Sequence, residues 1–176
     1  MSKSTMIAEE TTSPPSHAFI GLGSNIEPRL AYLKKAVEAI RKIGTLTGIS
    51  AVFETAPVGD IPQPDYLNAV LELETLLGPL ELGKELKSIE QQLGRVERPR
   101  WHEREIDLDL LFYDELILES PDYTIPHPEA HRRAFVLIPM LEIAPGYEHP
   151  VFRKTIADLV KGVDPHDARK TELSIA

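Results

Sequence analysis

Apolar residues occur along this chain with two different periods, and each period predicts one kind of secondary structure. Short apolar or β-branched runs with a period of two predict strands, whereas apolar residues that recur every three or four positions predict helices. The predicted strands span 17–22, 45–54, 66–77 and 106–113. A long irregular loop is predicted at 55–65, where three prolines and a glycine exclude regular structure.

Two helical stripes lie between the predicted strands. The first helix is predicted to follow Asn25, whose side chain can cap it, and to end by Gly44. The second is predicted to begin at Pro79 and to end at Gly94, because proline suits a first turn and glycine a helix end. The stripe residues are Leu30, Leu33, Val37 and Ile40 in the first helix, and Leu82, Leu86, Ile89 and Leu93 in the second.

The chain after the fourth strand predicts smaller elements. A hairpin is expected through 114–115 to a strand at 116–118, followed by a turn rich in proline and histidine at 126–128. Helices are predicted at 134–143 and 154–160.

The order of the main elements is βαββαβ, which predicts an α+β, ferredoxin-like antiparallel sheet with its helices on one face and C-terminal additions. A doubly wound parallel sheet is disfavoured, because no helix joins the two middle strands. The predicted organisation is a disordered tail at 1–16, a single domain at 17–162 and a C-terminal tail at 163–176.

Composition narrows the class of protein. A net charge of −9 disfavours a general nucleic-acid binder, and no apolar run is long enough for a membrane helix. The chain has no cysteine, so disulfides, thiolate nucleophiles and cysteine metal ligands are excluded. The first residues lack the features of a signal or transit peptide. A cytoplasmic protein without nucleic-acid or membrane partners is therefore expected.

Asp107 and Asp109 are the strongest candidates for chemistry. They alternate with Ile106, Leu108 and Leu110 on the fourth strand, so both carboxylates face one side, about 6.6–6.8 Å apart along the strand. A polar strand face is the simpler interpretation, but aspartate is depleted in strand interiors and the two charges repel. Divalent cations such as Mg²⁺ would compensate that repulsion, which favours a metal site.

A loop with four arginines, here called the arginine loop (residues 95–104), precedes the aspartates. Its planar guanidinium groups suit phosphate oxygens, although a charged run can also be a solvated loop. Trp101 favours function, because an exposed tryptophan in a charged loop is costly unless it covers a ring or a partner. The arginines are Arg95, Arg98, Arg100 and Arg104.

Other candidates are weaker when taken singly. Tyr66 and Asn68 offer a ring face and an amide that would suit a flat heterocycle. His127 and Arg133 could form a second phosphate contact, although a lone histidine is more often structural. Glu90 lies beside the stripe of the second helix, which favours a solvated side chain. The glycine turn at 21–25 is more typical of a strand-to-helix turn than of phosphate binding.

Seven short motifs occur in order along the chain. They are G-S-N (23–25), T-A-P-V-G (55–59), Q-P-D-Y-L-N (63–68), G-R-V (94–96), R-W-H-E-R-E-I-D-L-D (100–109), P-H (126–127) and R-A-F (133–135). Taken together, over about 17–162, these motifs resemble the 6-hydroxymethyl-7,8-dihydropterin pyrophosphokinase family of folate biosynthesis, and they occur in family order.

The resemblance implies a ferredoxin-like fold that binds two small molecules, ATP and the pterin alcohol. A monomer is expected. It implies that diphosphate is transferred by attack on the β-phosphorus and that AMP leaves. Asp107 and Asp109 match the ligands of two Mg²⁺ ions. Arg95 and Arg104 match catalytic-loop arginines, and Trp101 matches a tryptophan that closes over the substrates.

The resemblance also assigns residues to each substrate. Those assigned to the pterin are Thr55, Val58, Tyr66, Asn68, Trp101 and Phe135. Those assigned to ATP are Glu90, Arg98, Trp101, Thr124, His127 and Arg133.

The sequence departs from the family pattern at several places. The tail at 1–16 has no match. The arginine loop is expected to be a residue shorter than in some members, so either Glu97 or Arg98 fills a further arginine position, and Arg98 is preferred. His102 and Glu103 stand where the family usually has Gly-Pro, and Asp122 precedes Thr124 where some members have a basic nucleotide contact. Two rival functions share this fold: a palm-like nucleotidyl transferase or cyclase, which would release pyrophosphate from ATP alone, and a non-catalytic ligand-binding module.

Overall fold

An antiparallel sheet forms the centre of the computed structural model, which describes residues 13–176. The strands are β1 (Ser16–Ser24), β2 (Thr45–Ile49), β3 (Phe53–Thr55), β4 (Tyr66–Thr75), β5 (Asp107–Tyr113), β6 (Leu118–Glu119), β7 (Thr124–Ile125) and β8 (Arg169–Lys170). The α-helices are α1 (Arg29–Ile40), α2 (Pro79–Gln92), α3 (Ala134–Ile143) and α4 (Ile156–Leu159).

The strand order confirms the ferredoxin-like prediction. The main sheet runs β5-β1-β4-β3-β8, with β2 also paired to β4, and every pairing is antiparallel. The two strands that begin the βα units, β1 and β4, are therefore central.

The sheet separates two hydrophobic clusters. One cluster lies between the sheet and helices α1 and α2, and it takes the alternate β4 residues Leu67, Ala69, Leu71 and Leu73. The other face carries Val70 and packs against α3. Helices therefore cover both faces, because the C-terminal addition supplies the second layer. No helix within 13–176 is long and apolar enough to cross a bilayer.

Three local predictions are wrong. Asn25 does not cap α1: Pro28 occupies the N-cap position, and the Asn25 side chain bonds to other loops. The strand predicted at 45–54 divides into β2 and β3, because the Ser50 hydroxyl, rather than a backbone carbonyl, accepts the Val70 N–H at 2.9 Å. The predicted hairpin partner of β5 is also absent, since β6 pairs with β7 and the chain turns away at Asp114 (φ 46°).

The two predicted tails have different outcomes. The tail predicted at 1–16 falls mostly on 1–12, which lie outside the described residues, and β1 begins at Ser16. The segment 163–176 packs on the domain: β8 pairs with β3, and Ala168 and Ile175 are buried.

Candidate active site

The two aspartates project from β5 on the sheet face opposite α1 and α2. Leu108, between them, packs into the cluster beneath those helices, as its alternation predicts. On the neighbouring strand β1, Asp107 is paired with Gly23 and Asp109 with Gly21. Because neither glycine has a side chain, Asn68 and Tyr66 can pack closely against β1 at Gly23, and Leu111 can do so at Gly21.

The environments of the two carboxylates differ. Burial raises the pKa of Asp109 to about 8, and the negative charges of Asp107 and Glu90 add to the shift. Oδ1 of Asp107 instead accepts two hydrogen bonds of 3.1 Å, from Nη1 of Arg95 and Nη1 of Arg104. The site therefore places an ion-paired carboxyl group beside a buried one whose charged form is disfavoured, and a bound cation would stabilise the charged form of both.

Glu90 is not solvated, so that prediction is wrong. Its side chain is buried where α2 packs against β5, and burial raises its pKa. Oε1 accepts the Leu108 N–H at 2.7 Å, and Oε2 lies 2.6 Å from Nη1 of Arg95. Glu90 thus anchors Arg95 to the strand that carries the aspartates.

One open pocket joins the aspartates to the predicted pterin residues. About 750 Å³ of space lies between its walls, a figure that includes open solvent at its mouth. Its polar wall includes Arg104 and Arg133, and the arginine loop also contributes His102. The predicted pterin residues that line it are Thr55, Val58, Tyr66, Asn68, Trp101 and Phe135.

The pocket wall combines aromatic and amide groups. Asn68 donates from Nδ2 to the hydroxyl of Thr55 at 2.5 Å, which orients the amide. The Arg133 guanidinium lies 5.4 Å from the centroid of the Phe135 ring. Burial raises the pKa of Tyr66, so its hydroxyl stays protonated at neutral pH.

Several predicted ATP residues lie elsewhere. Arg98 forms a two-bond ion pair with Glu105, at 2.7 and 2.9 Å, which holds the pKa of Glu105 at about 2. Thr124 is exposed on β7. His127 is half-buried, burial lowers its pKa, and its Nδ1 accepts the Glu129 N–H. None of Arg98, Thr124, His127 and Glu90 lines the pocket, whereas Trp101 and Arg133 do.

Sequence reasoning missed the two amides that connect the loops around the pocket. The Asn25 side chain donates to Oε1 of Gln63 at 2.9 Å, and Gln63 donates to the Trp101 carbonyl at 2.7 Å. Asn25 belongs to the motif G-S-N and Gln63 to the motif Q-P-D-Y-L-N. Their amide side chains in two irregular segments were the signal that could have indicated a role in joining loops.

A model of the 7,8-dihydro-6-hydroxymethylpterin-pyrophosphokinase family matches residues 19–145 of the chain. The chain belongs to this pyrophosphokinase family. Membership confirms the resemblance inferred from the ordered motifs, since the match begins in β1 and continues through α3.

Curated relatives agree with this family. The chain is similar to the 2-amino-4-hydroxy-6-hydroxymethyldihydropteridine pyrophosphokinase of Haemophilus influenzae, at 41% identity over 151 residues, which cover 85% of the chain and 94% of the relative. The Aquifex aeolicus protein of the same name is 38% identical over 140 residues, covering 80% of the chain and 88% of the relative. The folic acid synthesis protein of Pneumocystis carinii is 36% identical over 96% of the chain, which corresponds to 23% of that longer protein.

Solved structures agree at the level of the fold. The HPPK-DHPS protein of Plasmodium falciparum matches with a TM-score of 0.71 and 13% identity over 89% of the chain. The chain spans less than half of that solved chain, 46% of its length.

Proposed function

We propose that the protein transfers diphosphate from ATP to the hydroxymethyl group of 6-hydroxymethyl-7,8-dihydropterin, releasing AMP, in folate biosynthesis. One observation carries the proposal for this member of the pyrophosphokinase family. A single pocket joins an aromatic and amide wall to two strand-borne carboxylates and the guanidinium of Arg104. A flat acceptor and a polyphosphate donor could therefore bind side by side.

The aromatic and amide wall is the proposed pterin subsite. Tyr66, Trp101 and Phe135 offer ring faces to a flat heterocycle, and Thr55 and Asn68 offer polar groups to its edge. Aromatic rings favour offset or edge contacts with other rings, so this wall suits a two-ring substrate. Val58 would complete the subsite from the loop between β3 and β4.

Asp107 and Asp109 fit the role of Mg²⁺ ligands. No cluster of three or more carboxylate, histidine or cysteine side chains suited to a metal occurs within 13–176. Magnesium is commonly held by one or two carboxylates together with phosphate oxygens and water. The donor set therefore suits ions that bind together with ATP, and we assign two of them to the aspartates. When bound, Mg²⁺ would neutralise charge on the phosphates.

The arginines would supply further positive charge. Arg95 and Arg104 lie at Asp107, and Arg133 lines the same pocket, so all three are assigned to the phosphates. We also assign His127 to ATP. Glu90 and Arg98 are assigned supporting roles, because each is committed to an ion pair within the protein. The ATP contact of Thr124 stays a prediction.

The proposed reaction needs positioning more than a nucleophilic side chain. The hydroxymethyl oxygen forms a bond to the β-phosphorus of ATP. The bond from that phosphorus to the oxygen bridging the α- and β-phosphates breaks, and AMP leaves with this oxygen. The proton of the alcohol is released. The arginine loop would exclude water from the site, which favours transfer to the alcohol over hydrolysis.

A product assay tests the reaction. The protein is incubated with ATP, Mg²⁺ and the pterin alcohol, and equal amounts of AMP and pterin diphosphate are expected. Formation of ADP would contradict diphosphate transfer. Pyrophosphate released from ATP alone would favour a nucleotidyl transferase or cyclase, and pterin binding without Mg²⁺-dependent nucleotide binding would favour a non-catalytic module.

Variants of the aspartates test the site. We expect Asp107→Ala and Asp109→Ala to lower turnover on the order of 10²–10³-fold, the range for removal of one charge-stabilising group, with unchanged circular dichroism. Asp158→Ala, at an exposed position of α4, is the matched control and should keep normal turnover. Normal turnover in either site variant would contradict the metal assignment.

A further inference from the structure

Three segments of the chain meet at the side chain of Asn25, which is only 1% exposed. Its backbone N–H donates to the Arg104 carbonyl at 3.1 Å, and its Oδ1 accepts the Arg104 N–H at 2.8 Å. Its Nδ2 donates to Oε1 of Gln63 at 2.9 Å and to the Pro64 carbonyl at 3.0 Å. Both amide hydrogens of Asn25 are thus committed within the protein.

Gln63 extends this network to the tryptophan of the arginine loop. Its Nε2 donates to the Trp101 carbonyl at 2.7 Å. Trp101 has a φ of 70°, in the left-handed region that a bulky residue rarely adopts. Contacts from outside the loop must therefore stabilise this conformation, and the Gln63 bond acts on the strained residue directly.

We infer that Gln63 is a positioning residue for the proposed reaction, on which this inference depends. The hydrogen-bonded chain Asn25–Gln63–Trp101, here called the amide relay, holds the arginine loop over the pocket. Gln63 acts through Trp101, because Nε2 of Gln63 donates to the Trp101 carbonyl while its Oε1 accepts from Asn25.

The amide relay also places a catalytic arginine. Asn25 holds the backbone of Arg104, three residues after Trp101, by two hydrogen bonds. Nη1 of Arg104 lies 3.1 Å from Oδ1 of Asp107. The relay therefore fixes residues 101 and 104 together, so the ring above the pterin subsite and the guanidinium at the aspartates move as one unit.

The loop that carries Gln63 has a separate anchor. Nη1 of Arg29 donates to the Asp65 carbonyl at 3.1 Å and to the Glu54 carboxylate at 3.0 Å. Loss of the Gln63 amide should therefore release the arginine loop without displacing the segment from which Gln63 projects.

Gln63→Met tests the relay in the protein without substrates. Methionine has a similar length and makes neither bond. Trp101 is the only tryptophan in the chain, so acrylamide quenching of its fluorescence reports this loop alone. Tryptic cleavage after Arg95, Arg100 and Arg104 gives a second measurement. Of the two lost bonds, only the one to the Trp101 carbonyl holds the arginine loop. Its loss, about 1 kcal/mol, should shift the ratio of closed to open loop about fivefold.

Gln92→Met is the matched control, since Gln92 is exposed on α2 and bonds only to Ser88 among the described side chains. Asn25→Asp is a second relay variant, which keeps the acceptor for the Arg104 N–H and loses both donors. We expect increased quenching and cleavage in Gln63→Met and Asn25→Asp, but not in Gln92→Met. Quenching and cleavage equal to the control in Gln63→Met would overturn the inference.

Turnover separates the relay from the proposed function. If the wild-type protein releases AMP, kcat of Gln63→Met should fall by up to about fivefold, matching the loss of closed loop. An unchanged kcat beside an altered Trp101 signal would overturn the positioning role. Absence of AMP release from the wild-type protein would contradict the function, while the quenching measurement would still report whether the relay holds the loop.

Discussion

Gly21 and Gly23 lie beside the acidic pair, where the close packing of neighbouring side chains leaves no place for a side chain at Gly23. They stand opposite Asp109 and Asp107 on β1, at positions where most strands carry β-branched or aromatic residues. A Cβ at Gly23 would lie 2.8 Å from Oδ1 of Asn68 and 3.4 Å from the Tyr66 ring. Gly23 therefore allows the amide and the ring of the proposed pterin subsite to approach the β1 backbone.

We expect Gly23→Ala to raise KM for the pterin alcohol by about tenfold, because displacing the Asn68 amide should cost about the 1–2 kcal/mol of one hydrogen bond. The measurement is steady-state kinetics with varied pterin at saturating ATP. Gly146→Ala is the control, since nothing lies within 4 Å of its added Cβ. Equal KM values for the two variants would show that the crowded amide does not contribute to pterin binding.

Side-chain direction was predictable at this scale, but side-chain partners were not. The period of a strand was enough to place Asp107 and Asp109 on one face. Glu90 was predicted to be solvated because nothing in α2 shows that β5 packs against it. In the structure, β5 covers Glu90, and the Leu108 N–H donates to the Glu90 carboxylate. No pattern within α2 itself indicates that N–H.

At the scale of elements, Glu54 connects three parts of the chain. From β3, its carboxylate pairs with Arg29 at the start of α1 and with Arg169 of β8. The hydrogen bonds from these two arginines lower the pKa of Glu54 below its ordinary value of 4.5. Since the pairs join neighbouring elements of the sheet edge, we expect them to contribute to stability where Glu54 is ionised.

Glu54→Gln should lower the free energy of unfolding at pH 7 by up to about 1 kcal/mol, the range for a partly exposed ion pair. Because the folded-state pKa is depressed, this contribution is full above the unfolded pKa near 4.5 and disappears as the pH falls through the lower folded value. Urea unfolding from pH 7 to pH 2.5 measures the difference from wild type.

Glu119→Gln is the control for that series, as Glu119 is exposed on β6 and has no ion pair within 13–176. If Glu54→Gln is still less stable than wild type by the same free energy at the lowest pH, the loss of stability does not come from the ion pairs of Glu54.

The arrangement of elements was predicted better than their ends. The hydrophobic pattern and the order of elements were enough to predict β1, β4, β5, α2 and α3, because each contains a run or stripe of apolar residues that is buried. The division between β2 and β3 depends on the Ser50 hydroxyl, which takes the Val70 N–H from across the sheet. A run of β-branched residues does not indicate that a side-chain hydroxyl will accept a hydrogen bond in place of a backbone carbonyl.

For the whole molecule, the last segment contributes to the core. Thr171 donates its N–H to the Val52 carbonyl at 3.0 Å, β8 extends the sheet, and Ile175 is 4% exposed in the cluster under α1 and α2. These contacts join residues 163–176 to the domain, although the sequence pattern predicted that the domain ends at residue 162.

Ile175→Ala should lower the free energy of unfolding by about 2 kcal/mol, the lower end of the range for truncating a buried isoleucine. Thermal or urea unfolding is the measurement. Leu173→Ala is the matched control, because Leu173 is exposed on the same segment. Equal stability of the two variants would mean that the segment behaves as a free tail in solution.

The sequence by itself was sufficient to predict the βαββαβ arrangement, the shared face of the two aspartates and the family of the protein. These properties depend on local period and on motifs that are contiguous in sequence. The partners of Glu90 and Asn25, the amide relay and the docking of Ile175 became evident only in three dimensions. Each of them joins residues that are remote along the chain, and a hydrogen bond or a buried contact forms only where folding brings its two partners together.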